Sequence, residues 1–461
     1  MKNKKRIESD SLGTKKIDFN RLWGAQTQRS KENFKIGEEK MPEEIIYAFG
    51  LQKKSAAQAN LHFNLLDKKI GSAIIKACEQ IISLNFKDEF PLSVWQTGSG
   101  TQTNMNVNEV ISNYAIKILK GKIGTKKPVH PNDHVNLSQS SNDTFPTVMH
   151  IAINEQTDKK LLPAVRKLIY ELEKKQNKFS KIIKIGRTHT QDATPLTLGN
   201  VFSSYCSQIK KNLNRVVKAK QELNYIAQGG TAIGTGINAP NNFDKIFCKY
   251  LNKLTLNKYK PNSNKFEAIA CHDALVNFSN SLNTLAVSIL KIVNDIRLLA
   301  SGPRSGLGEL NIPVNEPGSS IMPGKVNPTQ IEALSMVCIQ VIGNNFTVSF
   351  AGSQGQFELN TFKPIIAYNI LQSVNLLSDS IKSFSKNCLV GITPNKNNIK
   401  KHLNNSLMLV TALNKYIGYD NAAKIAQKAF KENITLKEAA LKLNLVSEEK
   451  FDRLVNPKKM I

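Results

Sequence analysis

Two hydroxyls, Ser319 and Ser320, and one cation, Lys325, stand close together in the run Gly318 to Ile331, GSSIMPGKVNPTQI. Two glycines and two prolines at this density exclude a helix interior, so the run starts as a loop. It ends at Asn327-Pro328, an N-cap candidate followed by proline at the first helical position, with Gln330 three residues after the cap as in a capping box. A helix starting there aims free backbone N–H groups and the positive end of its dipole at the loop. Hydroxyls, a cation and a helix N-terminus in one place suit a carboxylate that gains charge during a reaction. On the residues alone, a solvated Ser/Gly turn before a buried helix stays open.

The loop is one of several informative strings along the chain. The others are LWGAQTQRS (Leu22 to Ser30), GSGTQTNMNVNEV (Gly98 to Val110), HPND (His130 to Asp133), SQSSNDTFPT (Ser138 to Thr147), GRTHTQDATPLTLG (Gly186 to Gly199), GGTAIGTGIN (Gly229 to Asn238) and IGYDNAAKIA (Ile417 to Ala426). Together with the loop they resemble the fumarase/aspartase superfamily, lyases that eliminate water, ammonia or a nitrogen base from a succinyl skeleton. The resemblance covers essentially the whole chain. Gly324, Thr329 and Gln330 are similar to the class II fumarate hydratases; aspartases usually carry alanine at the position of Gly324 and glutamine at that of His189.

The resemblance implies reversible hydration of fumarate to (S)-malate through an aci-carboxylate intermediate. That reaction needs a base for the carbon proton, preorganised donors around the carboxylate where charge develops, and an acid for the leaving hydroxyl. By resemblance Ser319 is the base. A serine is a poor base unless its alkoxide is stabilised, so a role as hydrogen-bond donor to substrate is the alternative. His189 holds or activates the water, and Glu332 pairs with it and raises its basicity; as a bare residue Glu332 is also an ordinary acid at a helix N-terminus. The resemblance further gives Ser99, Gly100, Thr101, Ser140, Ser141, Asn142, Thr188, Ser320, Lys325, Val326 and Asn327 as substrate binders, although Ser, Asn and Gly are also common turn residues. His130, Pro131, Asn132 and Asp133 resemble a second dicarboxylate site, with a plain turn as the alternative. Here His134 follows where fumarases often have aspartate. Competing activities are aspartate ammonia-lyase or a related succinyl-skeleton lyase, and, from a different class, a scaffold that has lost activity.

Composition narrows the field. The chain has 461 residues, 41% hydrophobic and 21% charged, ordinary for a soluble globular protein of two or three domains. The six cysteines at 78, 206, 248, 271, 338 and 388 form no CxxC pair, so neither a disulfide framework nor an iron–sulfur or zinc nest is expected. No metal and no cofactor are called for. The net charge of +27 comes from lysines spread over the whole length. Without basic stretches interleaved with aromatics it does not read as a nucleic-acid footprint, although a positive field would collect a dicarboxylate. No apolar run long enough for a membrane span and no secretory or transit pattern stand out, so the expectation is a cytoplasmic protein with no membrane partner.

The elements that must position these residues are mainly helical, giving an all-α chain. Cys271, Leu275, Phe278, Leu282, Leu285, Ile289, Ile292, Ile296 and Leu299 alternate steps of four and three, the seam of a long helix in a near-parallel bundle. A seam this long implies self-association. The expected division is a mixed, mainly helical segment over 1–139, a long-helix bundle over 140–395 and a small helical domain over 396–461. The resemblance adds a homotetramer whose subunits pool their central helices, with active sites where three subunits meet.

Overall fold

The computed structural model describes residues 4–461, which are mainly helical, with strands confined to two-stranded pairings. Eight elements matter most here: α1 (Glu43–His62), α2 (Thr101–Ile118), α3 (Ser141–Gln156), α4 (Leu162–Lys178), the hairpin β1 (Ile183–Thr188) and β2 (Gln191–Thr197), α5 (Leu198–Glu222) and α6 (Asp273–Leu299). Three more helices follow, α7 (Thr329–Gly352), α8 (Lys363–Asn387) and α9 (Lys396–Asn405). The chain divides into two compact units. The first comprises the chain to Pro163, Leu213–Ala286 and Cys338–Ser378; the second comprises Ala164–Asn212, Val287–Val337 and Asp379–Ile461. The expected breaks after residues 139 and 395 fall at helix starts: Ser140 caps α3 and Asn395 caps α9.

In the first unit, buried polar groups set the loops that precede the helices. Glu109 on α2 accepts the backbone N–H groups of Gly24, Gln26 and Thr27 at 2.8, 2.9 and 3.1 Å and the Thr27 hydroxyl at 2.6 Å. These bonds tie down the LWGAQT string, so that motif serves the fold. Burial pushes the Glu109 carboxyl above its ordinary range despite those donors. On α1, fully buried Lys53 donates to Asn136 Oδ1 and Gln139 Oε1, both at 3.0 Å.

In the second unit, a separate apolar core gathers Leu403, Leu409, Leu413, Ile425, Leu436 and Phe451 around Ile185 of β1. The C-terminal helices therefore use the hairpin as part of their floor. Antiparallel pairing of β1 and β2 slips between Ile185 and Arg187 and resumes at Arg187↔Asp192 and Thr188↔Gln191. Gly186 occupies the slip; a Cβ there would lie 2.6 Å from the Thr194 carbonyl oxygen, so a side chain is excluded.

The seam is realised on α6, with Leu275, Phe278, Leu282, Leu285 and Ile296 fully buried. Two corrections apply. The helix begins at Asp273, leaving Cys271 outside it and exposed, because Asp273 rather than Cys271 suits a first turn. The named seam residues pack within the chain, while α6 leaves Val287 and Leu298 more than half exposed and α7 leaves Met336, Ile339, Phe346 and Phe350 so. By length and hydropathy α7 also meets the criteria for a membrane span, contrary to the expectation of none, with only 28% of its most apolar window buried. The expectation failed because α7 is broken by isolated polar residues yet keeps a high mean. Five of the six cysteines are buried and all are free.

Candidate active site

The loop before α7 is held by its own backbone. Gly318 N–H donates to the Lys325 carbonyl at 3.0 Å, and Lys325 N–H to that of Met322 at 3.2 Å. A Cβ on Gly318 would lie 2.2 Å from the Lys325 carbonyl oxygen, so only glycine lets the two ends meet. Inside this closed loop the Ser319 Oγ accepts two backbone N–H groups, from Ile321 at 3.2 Å and Met322 at 2.9 Å. Those donors face whatever charge the oxygen carries. Ser320, Lys325 and Val326 are exposed.

The expected capping pattern is not the one adopted. Helix α7 starts at Thr329, and Pro328 supplies the first acceptor, to Glu332 N–H at 3.0 Å. The Asn327 amide donates to the Gly318 carbonyl at 2.5 Å, and Gln330 Oε1 accepts from Ser383 on α8 at 2.7 Å. Both side chains found distant partners in place of local caps. The helix end still presents its positive pole to the loop. Lys325, Val326, Asn327 and Glu332 line one cavity of about 640 Å³, together with Arg297, Ser301 and Asn311. Glu332 approaches the Arg297 guanidinium at 3.7 Å. The lining residues Arg297, Ser301 and Asn311 were missed in the sequence because they lie in no motif.

Thr188 and His189 lie at the tip of the β1–β2 hairpin and are exposed. The two turn residues, His189 and Thr190, have φ of 55° and 61°, the positive values of a type I′ turn that usually takes Asn-Gly. For a β-branched residue such as Thr190 this is a backbone outlier, of the kind that costs on the order of 1–3 kcal/mol and clusters at functional sites. The tip's own bond runs from the Thr190 hydroxyl to the His189 carbonyl at 2.6 Å. Among the described residues no ion pair joins His189 to Glu332, whose nearest cation is Arg297.

The first unit brings the remaining expected binders together. Gly100, with φ of 77°, precedes α2, and a Cβ there would lie 2.2 Å from the Phe145 ring on α3. Ser99 and Thr101 share a hydroxyl hydrogen bond of 2.8 Å. Asn104 on α2 donates to Ser141 Oγ at 3.0 Å, and Asn142 donates to the Ala232 carbonyl at 2.8 Å. The starts of α2 and α3 are thus packed side by side, two positive helix ends bearing hydroxyls, an arrangement that favours an anion. Asp143, fully buried, completes a capping box with Ser140 and also accepts from Gln228, Gly229 and Thr231. Burial raises its carboxyl to about 6 against those donors. Its signal, Ser140 followed three residues later by Asp143, was legible as a capping box.

At the HPND string the structure forms a helical turn, Pro131–Val135, capped by His130. His130 Nδ1 accepts from Asn132 and Asp133 N–H, each at 3.2 Å, and His130 N–H donates to His134 Nδ1 at 2.8 Å. An accepting Nδ1 carries no proton, so the 3.3 Å approach of Asp133 Oδ2 to it is not an ion pair. Burial, first, lowers the His130 pKa in the same direction. These bonds account for the string as a turn.

Residues 13–343 match the family described as lyase, and residues 409–461 the family described as fumarase C C-terminus. Over 456 residues the chain is 60% identical to fumarate hydratase class II of Rickettsia conorii, spanning 99% of this chain and 98% of that one. It is 57% identical over 458 residues to the mitochondrial fumarate hydratase of Rhizopus oryzae, spanning 99% and 92%. Among solved structures, the recombinant class II fumarase of Schistosoma mansoni superposes with a TM-score of 0.97 at 45% identity, covering 99% of both chains.

Proposed function

The chain belongs to the class II fumarate hydratases of the fumarase/aspartase superfamily and catalyses the reversible hydration of fumarate to malate; from that premise we propose that Ser319 is its carbon base and His189 its second acid/base group. The observation that carries this is the pair of N–H groups on Ser319 Oγ. Read from malate to fumarate, the Ser319 alkoxide takes the proton from the carbon beside one carboxylate. The electron pair moves onto that carboxylate, giving the aci-carboxylate. Lys325, Asn327 and the start of α7 stabilise the added charge. The C–O bond at the neighbouring carbon then breaks, and the hydroxyl takes a proton from His189 and leaves as water. Ser99 to Thr101, Ser140 to Asn142, Thr188, Ser320 and Val326 hold and orient the dicarboxylate.

We place His189 of one chain against Glu332 and Ser319 of others, in a homotetramer with three chains at each site. Two features support this reading: Glu332 meets Arg297 rather than His189 in its own chain, and α7 exposes an apolar face that a neighbouring subunit's helices would cover. The three-segment organisation, with breaks after 139 and 395, and a cytoplasmic, metal- and cofactor-independent enzyme belong to the same proposal. The HPND residues His130 to Asp133 enter it only as a subsidiary dicarboxylate contact.

Isotope exchange separates the two roles. In heavy water, Ser319→Ala should lose exchange of the malate carbon hydrogen and hydration together. His189→Asn should lose hydration while retaining carbon-hydrogen exchange. Retained exchange in Ser319→Ala would refute the base assignment. Fumarate consumption that required ammonia would indicate ammonia-lyase chemistry instead.

A further inference from the structure

The second unit contains a buried ionic cluster that none of the assigned roles uses. Glu309 is fully buried. Its Oε1 receives Arg187 Nη2 at 2.7 Å and lies 3.0 Å from His402 Nδ1, while Lys184 Nζ lies 3.1 Å from Oε2. Burial would raise this carboxyl, but the Arg187 hydrogen bond, the Lys184 charge and the His402 bond outweigh it and hold it below its ordinary range. The backbone of Glu309 is fixed as well, its N–H donating to Leu299 at 2.8 Å and its carbonyl accepting from Asn395 at 2.9 Å. The carboxylate is therefore a rigid post.

What it anchors is the tip of the hairpin. Arg187 directly precedes Thr188 and His189. The strand pairing slips at Gly186, so the last turn, Arg187 to Asp192, is offset from the regular ladder below it. The exposed tip holds two non-glycine residues in left-handed conformations, and such conformations persist only where the surroundings over-determine them. The ion pair from Arg187 to Glu309 anchors the strand directly before the tip, just above the slip. We infer that Glu309 is a positioning residue for the reaction, setting the aim of Thr188 and His189 through Arg187. The inference rests on the assignment of His189 above.

A double-mutant cycle tests it: wild type, Glu309→Gln, His189→Asn and the double variant, each confirmed as assembled, folded enzyme by light scattering and circular dichroism. Glu309→Gln alone should lower kcat about 100-fold, the scale of a roughly 1 Å misplacement, and raise KM because Thr188 is mis-aimed as well. In the His189→Asn background the same change should lower kcat by less than about threefold, because the aimed group is gone, while the rise in KM through Thr188 persists. An equal kcat loss in both backgrounds would show a merely structural role and overturn the inference, as would an assembled Glu309→Gln enzyme within about threefold of wild-type kcat. Full activity of His189→Asn would overturn the histidine assignment itself, a separate result. If Glu309→Gln does not assemble, Arg187→Lys, which keeps the charge opposite Glu309 but loses the guanidinium fork, takes its place in the cycle with the same expected outcomes.

Discussion

The Oγ of Ser319 accepts the backbone N–H of Met322 at 2.9 Å and that of Ile321 at 3.2 Å, so its lone pairs are already met by peptide donors. A serine so placed differs chemically from one on a free surface turn. Fixed N–H dipoles stabilise the alkoxide with no reorganisation at the moment of proton transfer, the condition that allows so weak an acid to serve as a base. Gly318 makes the geometry possible by letting the loop close on the Lys325 carbonyl.

Ser319→Ala should therefore lose turnover while leaving the fold and assembly intact, since the loop is outside the core. Base catalysis typically supplies 10²–10⁴-fold, so kcat should fall by at least about 100-fold with little change in unfolding temperature. A variant that keeps more than about a tenth of the wild-type rate would show that Ser319 is not the base.

The exposed face of α7 predicts its own consequence. Phe346 is 74% exposed and lies on the same side as Met336, Ile339 and Phe350. Phe346→Glu should place a charge in the subunit interface and yield a dissociated chain with normal helical content and little hydratase activity. Sedimentation velocity and circular dichroism read the two properties separately. A fully active tetramer carrying Glu at 346 would move the interface elsewhere.

Much of this was legible in the sequence, and the failures have a common cause. The loop, the helix after it and the seam on α6 follow from local rules: Pro/Gly density and apolar periodicity. Asn327 and Gln330 matched a local capping pattern, yet their partners are Gly318 and Ser383; spacing along the chain cannot rank a near partner against a distant one. Periodicity found the buried side of α6 but not the unpartnered face of α7, because a helix apolar on most sides gives no stripe to read. Arg297 and Glu309 lie outside every motif that carried the family resemblance, so only their positions in space mark them.

Lys363 offers a stability test independent of the chemistry. Its side chain is fully buried, its Nζ has no hydrogen-bond partner among the described residues, and burial lowers its pKa to about 7. An unfolded lysine titrates near 10.5. Between these values the unfolded chain holds a proton that the folded chain lacks, so this group makes stability rise with pH across that window, and below about 7 its full penalty is present. Lys363→Met should stabilise the protein at pH 7 and below by on the order of 1–4 kcal/mol, as apolar replacement of buried charge does. The gain should shrink as the pH approaches 10. Denaturant midpoints at a series of pH values measure it; a loss of stability at pH 7 would mean that the ammonium has a stabilising partner in the assembly.

Complementation tests the shared-site account most directly. His189→Asn and Ser319→Ala, each with only a small residual rate alone, are mixed in equal amounts after reversible dissociation, or co-expressed, and mixed tetramers are isolated. If the histidine and the serine of a site come from different chains, a site is intact when a Ser319→Ala chain supplies the histidine and a His189→Asn chain the serine, so about a quarter of the sites should recover in a closed symmetric assembly. Recovery near one quarter of wild-type activity is the predicted result. No recovery in verified mixed tetramers would contradict the account, even if both residues proved essential.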